Sequence, residues 1–186
     1  EGHVIVCGYG RSGQNLSRFL ELEGITFFAL DLDPQRVRAA AAAGENVVYG
    51  DACRREVLMA AGLQRARAVV VSYADTASAL KVLHQVHELR PDLPVVVRTL
   101  DDSDLGKLQQ AGATEVVPEV LEGSLMLASH ALMLLGVPLS HVLRRIREVR
   151  EQRYGLFRGV FRSDAEGSLE EHEQPRLSSV SLGDHA

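Results

Sequence analysis

Tryptophan is absent from these 186 residues, and aromatic side chains of all kinds make up only 5% of them. The formal net charge is −5, whereas a nucleic-acid binder presents a broad basic surface to phosphates, which argues against a general nucleic-acid binder. Cysteine is scarce too. Cys7 and Cys53 cannot make a disulfide framework, and a reducing compartment such as the cytoplasm is the simpler setting. No apolar run reaches the roughly eighteen residues of a membrane-spanning helix. The first residues also lack the charged start and cleavage site of a signal peptide, so the chain as it stands reads as soluble. Catalytic arrangements are missing as well: there is neither a G-x-S-x-G elbow nor a G-x-x-x-x-G-K loop. Seven histidines are scattered without metal-ligand spacing. His84 and His87 share a helix face, but no cysteine or carboxylate cluster accompanies them. The chain therefore reads as a protein without an enzyme's machinery and without a metal site.

What is present is concentrated near the start. An apolar run, Val4-Ile5-Val6-Cys7, feeds directly into Gly8-Tyr9-Gly10-Arg11-Ser12-Gly13, and an amphipathic helical pattern follows as far as Gly24. A glycine turn between a strand and a helix, with an acidic residue at the end of the next strand, is the arrangement that binds the phosphates of a nucleotide. Here the acidic residue is Asp31. Gly8 makes the tight turn, Gly10 lets a phosphate approach the backbone, and Gly13 lets the helix pack closely on the strand. The unpaired N–H groups and positive dipole end of the helix then face the anion.

Strand patterns recur at Val4 to Cys7, Phe27 to Leu32, Val47 to Tyr49, Ala68 to Ser72, Val95 to Thr99 and Glu115 to Val117. Helical patterns separate them, and Pro34, Gly44, Gly62 and Gly112 punctuate their ends. Alternation of this kind predicts an α/β, Rossmann-like, doubly wound parallel sheet of six strands in the order 3-2-1-4-5-6, with the ligand at the switch between strands 1 and 4. The 46% apolar content suffices for its core.

Several residues fall at the strand ends that border that cleft. Asp31 is placed to accept hydrogen bonds from ribose hydroxyls and to repel a ribose phosphate, favouring adenosine nucleotides or NAD over NADP. Leu32 follows it, and Asp33, before Pro34, is the better helix cap. Arg36, one turn on, either orients the ribose or stands exposed. Arg11 either bonds a phosphate or is an ordinary surface arginine. Asp51 bonds an adenine amino group or caps the next helix, with Ala52 leaving room for the ring. Ser72 and Tyr73 lie across the switch point, with Asp75 as a helix cap behind them. Arg98 either meets an anionic ligand or pairs with Asp101 or Asp102.

Beyond strand 6, Leu121 to Leu135 is apolar on nearly all sides, with Leu121, Leu125, Ala128, Leu132 and Leu135 in one stripe and Met126 and Met133 widening it. Such a helix is buried on more than one side, which in a small domain predicts a homodimer interface over simple core packing. Gly136-Val137-Pro138 breaks it, and Leu139 to Tyr154 resumes a helix ringed by Arg144, Arg145, Arg147, Arg150 and Arg153, read as a solvated face. The acidic stretch from Ser163 to Pro175 reads as a linker, and Arg176 to Leu182 as a short terminal strand. The expected divisions are thus 1–135, 136–162 and 163–186.

The segments Val4 to Gln14, Asp31-Leu32-Asp33-Pro34, Val48-Tyr49-Gly50-Asp51-Ala52, Gln110-Ala111-Gly112-Ala113 and Pro118-Glu119 together resemble the RCK or TrkA-N domains that regulate potassium channels and transporters. The likeness is strongest to the cytoplasmic domain of Kef-type cation:proton antiporters. Pro175 to Val180 resembles the opening of a TrkA-C domain. The resemblance implies a ligand-sensing gate that binds AMP foremost, or ATP, ADP or NAD(H), in the glycine-turn cleft. It implies pairing through the Leu121 to Leu135 helix and a plasma-membrane transport domain, on the same parent chain, preceding Glu1. It also implies that Arg18 and Arg98 fall near a glutathione site in Kef members. An NAD-dependent oxidoreductase fragment and a dimerisation module without ligand are the competing expectations.

Overall fold

The computed structural model describes residues 2–163. Six strands, β1 (Val4–Cys7), β2 (Phe27–Asp31), β3 (Val47–Tyr49), β4 (Ala68–Val71), β5 (Val95–Thr99) and β6 (Glu115–Pro118), form one sheet in the order β3-β2-β1-β4-β5-β6. All five pairings are parallel, as in Val4 with Phe27 and Val4 with Ala68 on the two sides of β1. The helices are α1 (Arg11–Leu22), α2 (Pro34–Ala42), α3 (Arg55–Ala60), α4 (Thr76–Leu89), α5 (Leu105–Gln110), α6 (Glu119–Leu134) and α7 (Leu139–Ser163). The fold is the Rossmann-like one that the alternating pattern predicts.

Strand residues alternate between two cores because successive side chains leave a strand on opposite faces. Ile5 and Cys7 join Leu58, Leu63, Val82, Leu83, Val86, Leu105 and Leu108 on one face, under α3, α4 and α5. Val4 and Val6 join Tyr9, Phe27, Ala29, Ala40 and Val47 on the other, where Leu16, Leu20 and Val37 of α1 and α2 close over them. Burial pushes the Cys7 thiol up to about 12, with Cys53 adding to the effect, so Cys7 stays a neutral core residue at physiological pH.

At element ends two expected caps form and one does not. Asp33 caps α2 through bonds to the N–H groups of Gln35 and Arg36, and Asp75 caps α4 through Ser78. Asp51 does not cap α3, whose N-cap is Arg54. Its carboxylate instead accepts from the Cys53 N–H at 2.9 Å in a local turn. A short 3-10 turn, Leu63–Arg65, follows Gly62. Of the arginines on α7, Arg150 pairs with Glu122, Arg153 with Asp102 and Arg145 with Glu148, so these three are bound to neighbouring carboxylates. The linker and terminal strand expected after Ser163 lie outside the described residues.

Candidate functional site

A cavity of about 740 Å³ opens at the carboxyl ends of the strands, around the switch between β1 and β4. Its floor is the glycine turn. The Gly8 N–H donates to the Leu30 carbonyl at 2.8 Å, and the Ser72 hydroxyl donates back to the Gly8 carbonyl at 2.6 Å. Gly8 has φ +96°, and a Cβ there would stand 2.7 Å from the Tyr73 ring. Ser72 therefore clamps the end of β4 to the turn rather than simply leaving space. Gly10 is the N-cap of α1; nothing lies within 4 Å of where its Cβ would be, and no side chain caps the helix. The first turn of α1 also carries no acidic residue, so its N–H groups and positive dipole end face the cavity without a counter-charge of their own.

Asp31 stands beside the turn, 7% exposed. Its carboxylate accepts from the Tyr9 N–H at 2.7 Å and the Asp33 N–H at 2.8 Å, and Arg36 donates to both oxygens at 3.1 and 3.2 Å. Burial alone would raise its pKa. The two backbone donors and the guanidinium outweigh that and hold the carboxyl below its ordinary value. Arg36 is held on the Asp31 oxygens, the same acceptors that the sequence reading assigns to a ribose.

The cavity wall brings together Gly8, Gly10, Arg11, Ser12, Asp31, Leu32, Arg36, Asp51, Ala52, Ser72, Tyr73 and Arg98 of the residues expected from sequence. Tyr9, Gly13 and Asp33 stay out of it. Tyr9 is 3% exposed and turns into the core beneath α1 and α2. Gly13 lies against the turn, and Asp33 is occupied at the start of α2. Arg98 does not pair with Asp101 or Asp102. Its Nε donates to the Ser72 carbonyl at 2.6 Å and its Nη1 to Glu119 at 2.7 Å. Arg18 is exposed on α1, away from the cavity wall.

Gly50, beside Asp51 at the expected cleft edge, and Asp75, expected only as a cap, also line the cavity, as do Leu30, Cys53, Ser78 and Glu119, which sequence reasoning missed. Leu30 was within reach of the strand-end rule, since it stands near the end of β2, beside β1. Glu119 was not, because a residue that opens a helix reaches the cleft only through the β6–α6 corner. The wall carries three arginines, Arg11, Arg36 and Arg98, against four carboxylates, Asp31, Asp51, Asp75 and Glu119. Within that mixed wall, the uncapped α1 terminus suits an anionic group and the Asp31 carboxylate suits hydroxyl donors.

The TrkA-N domain family matches residues 4–119. The chain belongs to that family. It is 43% identical over 182 residues, 98% of its length, to a putative K(+) efflux antiporter KefB of Alkalimonas amylolytica, of which it covers 27%. It is 35% identical over 150 residues, 81% of its length, to a glutathione-regulated potassium-efflux system protein of Haemophilus influenzae, of which it covers 24%. This TrkA-N chain therefore spans about a quarter of the length of these relatives. Among solved structures it is similar to the Shewanella denitrificans Kef CTD in its AMP-bound form, with TM-score 0.71 and 28% identity, covering 84% of this chain and 98% of that one.

Proposed function

We propose that this TrkA-N domain is the cytoplasmic ligand-sensing domain of a Kef-type potassium efflux antiporter, and that it takes an adenine nucleotide, AMP before ATP, ADP or NAD(H), in the cleft described above. The observation that carries the reading is the unobstructed backbone at Gly10, at an uncapped helix terminus, next to Tyr9, whose N–H is held by the Asp31 carboxylate. The likeness to an AMP-bound Kef domain supports the choice of nucleotide. In this reading phosphate meets the N–H groups of α1 and Arg11, the ribose hydroxyls take the Asp31 oxygens as Arg36 moves aside, and adenine lies by Leu32, Asp51 and Ala52. Calorimetric titration of the stripped protein with AMP, ADP, ATP, NAD and NADH tests it. Selective binding of one of them is expected; no binding by any would leave the glycine turn structural.

Two copies pair through α6 in this reading. Of the residues expected in the interface, Leu125 is buried at 9% exposure and Leu121 and Leu132 are half-buried, whereas Met126, Met133 and Leu135 stand exposed. The outward stripe is Val120, Leu127 and Leu134, seven residues apart, with Leu127 at 75% and Leu134 at 89% exposure. Met126, Met133 and Leu135 extend it. An apolar helix face this open in water is a surface for a partner. Leu127→Glu with Leu134→Glu is expected to give a folded monomer by light scattering, whereas Leu125→Glu is expected to unfold the chain. A dimer that survives the first double substitution places the interface elsewhere.

Arg98 supplies the route from cleft to helix. It holds the Ser72 carbonyl at the switch point and Glu119, the first residue of α6, at the same time. An anionic ligand that competes for Arg98 releases Glu119, and a dimer geometry that tolerates the released helix is then favoured by the difference in ligand affinity between the two states.

A further inference from the structure

The residue between the first two glycines of the turn stays out of the cavity wall, yet it is anchored at every polar group it has. The Tyr9 N–H donates to Asp31 Oδ2 at 2.7 Å, and its carbonyl accepts from Gln14 Nε2 at 3.0 Å. Its ring stacks on Phe27, with centroids 6.5 Å apart and planes 15° off parallel. Its hydroxyl donates to the carboxylate of Glu45, in the turn between α2 and β3. We propose that Tyr9 and Glu45 form a positioning pair that holds the glycine turn in its phosphate-accepting shape before the ligand arrives.

The argument starts from the two glycines. Gly8 and Gly10 make this the stretch of backbone with the most conformational freedom to lose. A site made of backbone N–H groups binds well only if those groups are already aimed, because ordering them on binding subtracts from affinity. Only the side chain at position 9 lies between the glycines, so its anchorage decides how far the turn can swing. Glu45 is a firm anchor. Its N–H donates to the Ala40 carbonyl at 3.0 Å, closing the end of α2 after Gly44, whose φ is +77°. The other end of α2 carries Arg36, which grips Asp31, which in turn holds the Tyr9 N–H. A closed circuit therefore links the phosphate turn, α2 and the Asp31 carboxylate. Burial raises the Tyr9 pKa, reinforced by the hydrogen bond and charge of Glu45 and the charge of Glu21, so the phenol remains a donor throughout the physiological range.

This inference rests on the nucleotide reading, and the test separates the two. Affinities for AMP and for adenosine are measured by calorimetry on the wild type, Tyr9→Phe, Glu45→Ala, Glu45→Gln and the Tyr9→Phe/Glu45→Ala double variant. Glu45 is exposed, so its variants leave the core untouched. Loss of one hydrogen bond predicts AMP binding weakened about fivefold to tenfold in each of the first two variants. Adenosine binding should stay within about twofold, because Asp31 keeps its hydrogen bond from the Asp33 N–H and the loosened segment is the turn that meets the phosphate. The double variant should be no weaker than either single one, and Glu45→Gln, which still offers an acceptor, should bind AMP like the wild type. Unchanged AMP affinity in Tyr9→Phe, equal losses for AMP and adenosine, or additive losses in the double variant each overturn the pair while a binding wild type leaves the nucleotide reading standing. A wild type that binds neither ligand overturns both.

Discussion

Gly10→Ala is expected to leave the fold intact and to weaken AMP binding sharply, whereas Gly13→Ala, three residues on, is expected to damage the fold itself. The two glycines look alike in a motif and differ physically. Gly10 has φ −73° and ψ −163°, which alanine adopts without strain, and open space where the methyl would go. The substitution should change stability by less than about 1 kcal/mol. The methyl would, however, occupy the volume through which a phosphate reaches the α1 N–H groups, and a drop in affinity of at least about thirtyfold, roughly 2 kcal/mol, follows from losing charge-assisted bonds. At Gly13 a Cβ would stand 2.1 Å from the Gly8 carbonyl oxygen, a backbone atom that cannot step aside. Overpacking of that kind costs about 1–3 kcal/mol, or some 2–12 °C in Tm at this chain length. Thermal melts beside calorimetry separate the two effects. A Gly10→Ala protein that binds AMP like the wild type would take the phosphate away from this turn.

Asp31→Ala should weaken AMP binding by about a hundredfold and lower stability at the same time. The affinity loss comes from two ribose hydroxyl bonds to a charged acceptor, each worth about 1.5 kcal/mol. The stability loss comes from the Tyr9 and Asp33 N–H groups, which both end on this carboxylate, and from Arg36, which loses its partner. Asp31→Asn keeps an acceptor at one oxygen, so it should recover much of the stability and little of the affinity. Acid titration of the ligand-free protein supplies a further check. The Asp31 pKa is depressed below its ordinary 3.8, so its contribution is present in full above that value and is lost as pH falls through the lower folded one. The stability gap between wild type and Asp31→Asn should therefore narrow only below about pH 4. A gap that is flat across that range would mean the carboxylate charge is not what holds the turn.

Local chemistry explains why so much of the fold could be read without coordinates. Strands such as Val4–Cys7 and Val95–Thr99 are β-branched runs closed by glycine turns or polar corners, and Asp33-Pro34 and Asp75 are helix starts whose hydrogen bonds are made within a few residues. Order 3-2-1-4-5-6 follows from the handedness of the crossovers. Periodicity, by contrast, marked α6 as apolar without saying which side faces inward. Leu125 and Leu127 are indistinguishable in a helix that is apolar all round, and only packing against β6 and α7 turns the first inward and the second outward.

The same division runs through the cleft. The sequence alone determined where the glycine turn and its strand-end aspartate stand, because glycine spacing and a strand-end aspartate are properties of neighbouring residues. The tertiary structure alone decided which way Tyr9 points, what Arg36 and Arg98 hold, and that Glu119 joins the wall, since each depends on a partner brought close by folding: Glu45, Asp31, Ser72 and the β6–α6 corner. Side-chain direction at a charged or aromatic residue is set by the partner that satisfies it, and that partner lies 36 residues away for Tyr9 and 21 for Arg98.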